Sequence, residues 1–214
     1  MARSADRELV RRLLKMAGTT YADEADIRLA DKPMPLFQLL VLCMLASKPI
    51  DAGIAMQAAR ELFRTGMKTP QSVLDADRDA MIKAFGRAHY VRYDESSATR
   101  LADIATTVRD EYGGDLRRLA ERSDCDVKAA KRLLKQFKGI GDTGADIFLR
   151  EVQDVWTWVR PYIDERAIGA ARQLGLPTDP RKLTTSAPRD TAKLAAALVR
   201  VSLDDGLRAQ VLEK

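Results

Sequence analysis

Few residues in this chain are suited to redox or metal chemistry. It has two cysteines, Cys43 and Cys125, and one histidine, His89, among 214 residues. Two thiols exclude a disulfide framework and any four-cysteine cluster, and one imidazole leaves too few ligands for a zinc site. No metal and no cofactor is therefore expected. No apolar run approaches the roughly eighteen residues that a membrane span needs, and MARSADRELVRR lacks the apolar core of a signal segment. The expectation is a cytoplasmic (nucleoid-associated) monomer with no membrane partner. Alternating apolar and polar positions between hairpin turn signals, the mark of a half-buried strand, are also missing.

What is present is helical material. Hydrophobic residues make up 46% and aromatics only 6%, with Ala, Leu and Arg recurring in blocks. SADRELVRRLLKM reads as an amphipathic helix with Leu9, Val10, Leu13 and Leu14 on one side. LFQLLVLCMLAS is apolar nearly all round and so should be a central buried helix, with Pro35 at its first turn and Cys43 as core. DAGIAMQAARELFRTG, a helix pair running from Thr69-Pro70 to Gly86, and a longer helix from Ser96 to Tyr112 closed by Gly113 follow. Further helices are expected over 115–120, 126–137, from Asp142, over 164–174 and over 188–201. The predicted fold class is all-α, a two-lobed helical bundle. One lobe would span 28–155, and the other would combine 1–27 with 156–214.

The most informative stretch is LLKQFKGIGDTGADIFLREV, residues 133–152. A helix ends near Gly139 and another begins at Asp142 or Thr143, with Ile140 as a buried hydrophobe between two glycines. Gly139 suits a left-handed helix terminus and Gly141 a close approach of backbone. The free amides of the following helix would face outward, toward an anion. From Val127 to Thr143, Lys128, Lys131, Arg132, Lys135 and Lys138 stand against Asp142 alone. The whole chain is basic, with a net charge of +5, which is compatible with a polyanionic partner.

FKGIGDTGADIFL resembles the helix-hairpin-helix element of the endonuclease III-like DNA glycosylase superfamily. MPLFQLLVLCMLASKPID is similar to that family's early buried helix. LADIATTVRDEYGGDLRRLAERS is similar to the segment before the hairpin, and VRPYIDERAIGAARQLGL to the segment carrying its catalytic aspartate. The resemblance runs over about residues 5–176. It implies a double-stranded DNA partner containing a damaged base, held by Lys135, Lys138 and the backbone at Gly139, Gly141 and Thr143. It further implies that Asp164, twenty-five residues after Gly139, is the catalytic carboxylate. Lys48 falls where relatives place a residue filling the gap left by an extruded base. Tyr93 falls near the duplex wedge, and Trp156 and Trp158 are candidates to line a base pocket. Asp154 and Asp179 are fallback carboxylates.

The chain departs from the pattern in four places. Thr143 stands where bifunctional members carry a Schiff-base lysine, so hydrolysis by water without strand cleavage is expected. RKLTTSAPRDTAKLAAALVRVSL replaces the cysteine-rich tail of relatives with an iron–sulfur cluster. Lys138 replaces a proline, and Asp142 sets an acid beside the expected phosphate. Three rival readings remain at this level: a bifunctional glycosylase and abasic-site lyase, a non-catalytic sensor of DNA lesions or structure, and a general helical interaction protein. Asp164 has a purely structural alternative as a helix N-cap.

Overall fold

The computed structural model describes residues 4–213, and among these the fold is all-α with no strand. The helices are α1 (Ser4–Ala17), α2 (Tyr21–Glu24), α3 (Pro33–Ala46), α4 (Ala52–Arg64), α5 (Pro70–Leu74), α6 (Arg78–Arg87) and α7 (Asp94–Tyr112). They continue with α8 (Arg118–Arg122), α9 (Val127–Leu134), α10 (Asp142–Val152), α11 (Glu165–Gln173), α12 (Pro180–Thr184), α13 (Thr191–Leu203) and α14 (Asp205–Leu212). A single 3-10 turn covers Thr157–Val159. The chain forms two compact units. One is Ala22–Phe148; the other joins the residues up to Tyr21 with those from Leu149 onward, so the division falls inside α10.

In the unit Ala22–Phe148, α3 is the central element, and every residue from Pro35 to Leu45 is buried. Such a helix has no polar face to turn to water, so its neighbours must cover it on all sides. Both α4 and α7 pack on α3, and α6 joins α4 to α7. Local chemistry fixes the helix starts: the Asp51 carboxylate accepts from the Gly53 and Ile54 amides, and Thr69 and Ser72 form a capping box. In the other unit, α13 is the hub, packed against α1, α11 and α14. Its alanines let these helices approach closely, while Val10, Leu13, Leu194, Leu198 and Val201 fill the core.

Several boundaries differ from the sequence expectation. The buried helix starts at Pro33, not Pro35, because Lys32 is extended and Pro33 takes the first turn; Pro35 is still early enough that its missing N–H costs no helix bond. Gly86 does not stop α6. The stop is His89, at φ 57°, where its amide donates to Gly86 O and the Tyr90 amide donates to Phe85 O. The Tyr90 ring then packs 5.4 Å from that of Phe85, which completes a Schellman-type closure with histidine in the left-handed position. Helix α9 ends at Leu134 rather than Phe137, and α13 begins at Thr191 rather than Pro188. Helices α12 and α14 extend the fold beyond the elements expected.

Leu198 is fully buried in the core around α13. Leu198→Ala is expected to lower the unfolding free energy by about 2–5 kcal/mol, the range for leucine cavities in well-packed cores. Urea denaturation followed by circular dichroism checks this.

Candidate functional site

The hairpin joining α9 to α10 is built by two buried anchors and one backbone constraint. Asp126 caps α9 by accepting from the Ala129 amide. After Leu134 the chain tightens into successive turns, and Phe137 stacks on Tyr112 with ring centroids 5.4 Å apart and planes 26° apart. Ile140 is buried as well. Between them Gly139 adopts φ +92°, and a Cβ there would lie 3.3 Å from side-chain carbons of both Arg100 and Met44. A side chain there is disfavoured on two grounds, the positive φ and the tight approach of these neighbours. Lys131 Nζ, 2.5 Å from Asp146 Oδ1, ties α9 to α10.

Gly141 differs from Gly139. Its φ is not in the left-handed region, and a Cβ added to it would meet nothing within 4 Å. Among the described residues no neighbour makes the close approach expected from the sequence; the bare backbone faces open space. That space is a cavity of about 390 Å³ lined by Ser47, Lys48, Gly139, Ile140, Gly141, Asp142 and Thr143. The first bond of α10 runs from the Ala145 amide to Gly141 O, so the amides of Asp142, Thr143 and Gly144 precede the helical ladder.

Lys48 reaches the cavity because α3 ends at Ala46 and the chain turns sharply there. The Ser47 hydroxyl donates to Met44 O, and the buried Tyr90 hydroxyl donates to Leu45 O while sharing a bond with Ser97. Burial pushes the Tyr90 phenol up to about 12, despite the bond with Ser97, so it stays a neutral donor across the ordinary pH range. Lys48, Thr143 and the backbone that opens α10 thus share one concave surface, with the donor chemistry that suits an oxyanion.

Lys135 and Lys138, the two cations expected to flank the hairpin, each lie near a carboxylate. Lys135 Nζ sits 2.7 Å from Asp142 Oδ1, and this bond chiefly holds the Asp142 carboxyl below its usual range. Lys138 Nζ lies 3.7 Å from Asp103 Oδ1 with most of its side chain in solvent. The structure therefore places Lys48, Gly139, Gly141 and Thr143 around one cavity, with Lys135 attached through Asp142. Tyr93 is not among the lining residues. It stands at the start of α7, half-buried, with the Arg92 guanidinium 5.4 Å from its ring centroid.

Asp164 has a different environment. It is 8% exposed and stands at the N-cap of α11, where Oδ1 accepts from the Ala167 amide at 2.9 Å. Its Oδ2 accepts from Arg150 at 2.8 Å. The N-cap role foreseen as an alternative is present, together with an ion pair that the sequence reading missed. The available signal was the adjacent Arg150-Glu151 pair interrupting the apolar run of α10. Trp156 and Trp158 stack on each other at 5.5 Å and 22°, and Trp156 is buried while Trp158 is half-buried. Asp154 pairs with Arg160 at 3.2 Å, and burial pushes its carboxyl upward. Asp179 caps α12. Among the described residues no group of three or more His, Cys, Asp or Glu is placed to hold a metal ion.

No family model matches the chain, and no curated protein matches it. It is similar to a solved structure of a trapped endonuclease III–DNA covalent intermediate in an estranged-adenine complex. The identity is 13% over 94% of this chain and 86% of that one, with a TM-score of 0.48. A likeness at that level identifies neither an activity nor site residues.

The two hairpin glycines should separate in their effect on folding. Gly139→Ala is expected to cost about 1–3 kcal/mol from the left-handed backbone and the crowding at Arg100 and Met44. Gly141→Ala should change stability by no more than about 0.5 kcal/mol, the range for unencumbered surface positions. Paired chemical denaturation of the two variants checks the contrast.

Proposed function

We propose that this chain is a DNA-repair glycosylase. In this reading it grips the phosphodiester backbone of duplex DNA through the 139–143 hairpin, and it hydrolyses the N-glycosidic bond of a damaged base. The observation that carries the DNA-binding part is the shared cavity of Lys48, Thr143 and the start of α10, left open by Gly141. A phosphate oxygen there accepts from backbone amides and gains a charge-assisted bond from Lys48. The catalytic part rests on Asp164 and on the order of segments along the chain that resembles the endonuclease III-like glycosylases.

Breaking the base–sugar bond builds positive charge on the deoxyribose. A fixed carboxylate stabilises that charge and orients the attacking water. Asp164 is assigned this role, with one oxygen held by the α11 amide. Thr143 occupies the position where the resemblance calls for a Schiff-base lysine, so the expected product is an abasic site on an intact strand. Trp158, half-buried beside Trp156, is the candidate to stack on the base, and Tyr93 the candidate wedge. The substrate class is a damaged base, with an alkylated base as the candidate within it. A second reading, a non-catalytic sensor of DNA lesions, is favoured by one observation: both Asp164 oxygens already have protein partners.

A panel of duplexes carrying uracil, an oxidised pyrimidine, an oxidised purine, an alkylpurine or an abasic site separates these readings. The expected result is cleavage of one base-bearing duplex only after alkaline work-up, lost by at least about 100-fold in Asp164→Asn, the scale of deleting a charge-stabilising group. Cleavage without alkali, with borohydride trapping of protein on abasic DNA, would mean that a lysine attacks the sugar. Silence across the panel with DNA still bound would establish the sensor.

Salt dependence tests the hairpin separately. Lys48→Ala should weaken binding to undamaged duplex and reduce the slope of log Kd against log salt by about one phosphate contact. Asp142→Asn should tighten binding, because it removes an anion beside the phosphate and frees Lys135. Fluorescence anisotropy between low and physiological salt measures both.

A further inference from the structure

The buried charges around Asp164 are more elaborate than a helix cap requires. An N-cap needs one carboxylate oxygen, and the Ala167 amide already uses Oδ1. The second oxygen is nevertheless held by Arg150, whose side chain is only 4% exposed. Arg150 in turn lies 3.8 Å from Glu151 Oε1 through its Nε, and that Nε has no hydrogen-bond partner among the described residues. The guanidinium also covers the Tyr21 ring at 5.4 Å, and Arg200 covers the same ring at 5.3 Å.

Such a cluster is a poor device for stability. Desolvating a guanidinium costs several kcal/mol, and buried ion pairs are often replaced by apolar residues without loss. The connection between its two ends is nonetheless closely held. Gln153 Nε2 donates to Arg150 O and to Tyr162 O, the Tyr162 amide donates to Gln153 Oε1, and Arg160 Nε donates to Gln153 O. These bonds set the register of the loop between α10 and α11, and with it the distance from Arg150 to Asp164.

We infer that Arg150 is a positioning residue for the reaction: it fixes the Asp164 carboxylate in one orientation, while Glu151 holds Arg150 in place. This rests on the glycosylase reading above. When ionised, Arg150, Glu151 and Asp164 together carry one negative charge in excess, in a desolvated setting where that charge acts strongly on a cation. Burial works against the Arg150 charge, but Glu151 and then Asp164 outweigh it and raise its pKa above the ordinary arginine value. The arginine is thus a permanent cation. Also facing the cluster are the Tyr21 ring and, beyond it, Arg200, which is anchored by donating to Thr19 O.

The test uses two abasic-site analogues in otherwise identical duplexes, one a neutral tetrahydrofuran and the other a cationic pyrrolidine that mimics charge on the sugar. Cleavage of the responding duplex from the panel is measured alongside. Wild type should bind the pyrrolidine duplex more tightly than the neutral one. Arg150→Lys keeps a buried cation but loses the planar fork, and Arg150→Gln removes the charge. Both should lose most of the pyrrolidine preference and about 100-fold in single-turnover cleavage, the cost of misplacing a catalytic group by about 1 Å. Affinity for the tetrahydrofuran duplex should be unchanged, which a merely unfolded variant cannot satisfy. If Arg150→Gln instead strengthened the pyrrolidine preference, Arg150 would only be diluting the negative charge, and the inference would fall. It would fall equally if Arg150→Lys matched wild type in preference and cleavage. A wild type that binds DNA but neither cleaves nor prefers the cation overturns the glycosylase reading itself, and this inference with it.

Discussion

The φ of +92° at Gly139, with Arg100 and Met44 packed where a Cβ would be, determines how the hairpin is made. Once the chain turns there, Phe137 points back onto Tyr112 and Ile140 goes into the core. Asp142 becomes the first residue of a new helix with no polypeptide before it to satisfy its amides. Neither buried anchor could be satisfied by a helix that ran straight on. The open backbone at Gly141 is a consequence: the turn has been completed on the inner side, so the outer side presents amides to solvent. An open concave surface at the hairpin therefore arises from a packing requirement, with one lysine from the end of α3 added to it.

Charge at this surface is more restrained than a basic segment of sequence suggests. Lys131 is tied to Asp146, Lys135 to Asp142 and Lys138 lies near Asp103. Exposed pairs of this kind are worth little to stability, but they keep the cations from acting as a uniform positive stripe. Lys128 and Arg132 stay outside these pairs, and beside them the hairpin offers directional donors, the amides at a helix terminus, with Lys48 at the edge of the cavity. Such donors favour an oxyanion in one position, which is a different property from general attraction to polyanions.

How much of this could be read beforehand depended on the range of the interaction responsible. The buried all-apolar α3 and the glycine turn are local, and both were legible: one needs only the absence of a polar face, the other a hydrophobe between two glycines. The end of α9 was not, because Lys135 to Phe137 continue a plausible helix and the chain leaves it to place Phe137 on Tyr112. Gly86 looked like a stop, yet the closure falls three residues later at His89, where the gain comes from packing Tyr90 on Phe85. Lys48 was assigned to a loop facing the duplex gap. Its place beside Thr143 depends on the end of α3 meeting the hairpin, almost a hundred residues further along. Arg150 and Asp164 are separated by a loop whose register is set by Gln153 and Arg160, so no spacing rule could pair them.

The hairpin and the Arg150–Asp164 pair also belong to different electrostatic regimes. At the hairpin, Lys48 and the free amides are open to water, and mobile ions screen them over a Debye length of about 8–10 Å. Their pull on any bound oxyanion is lost gradually as salt rises. The Arg150–Glu151–Asp164 cluster is shielded from those ions by the fold. Its interactions persist at any ionic strength that leaves the protein folded, and its cost has been met once, during folding. On the proposed reading, the hairpin can release a phosphate backbone without disturbing the geometry of the buried carboxylate. Such a division would suit the proposed activity, in which many sites on a long polymer are sampled while a single carboxylate is held ready.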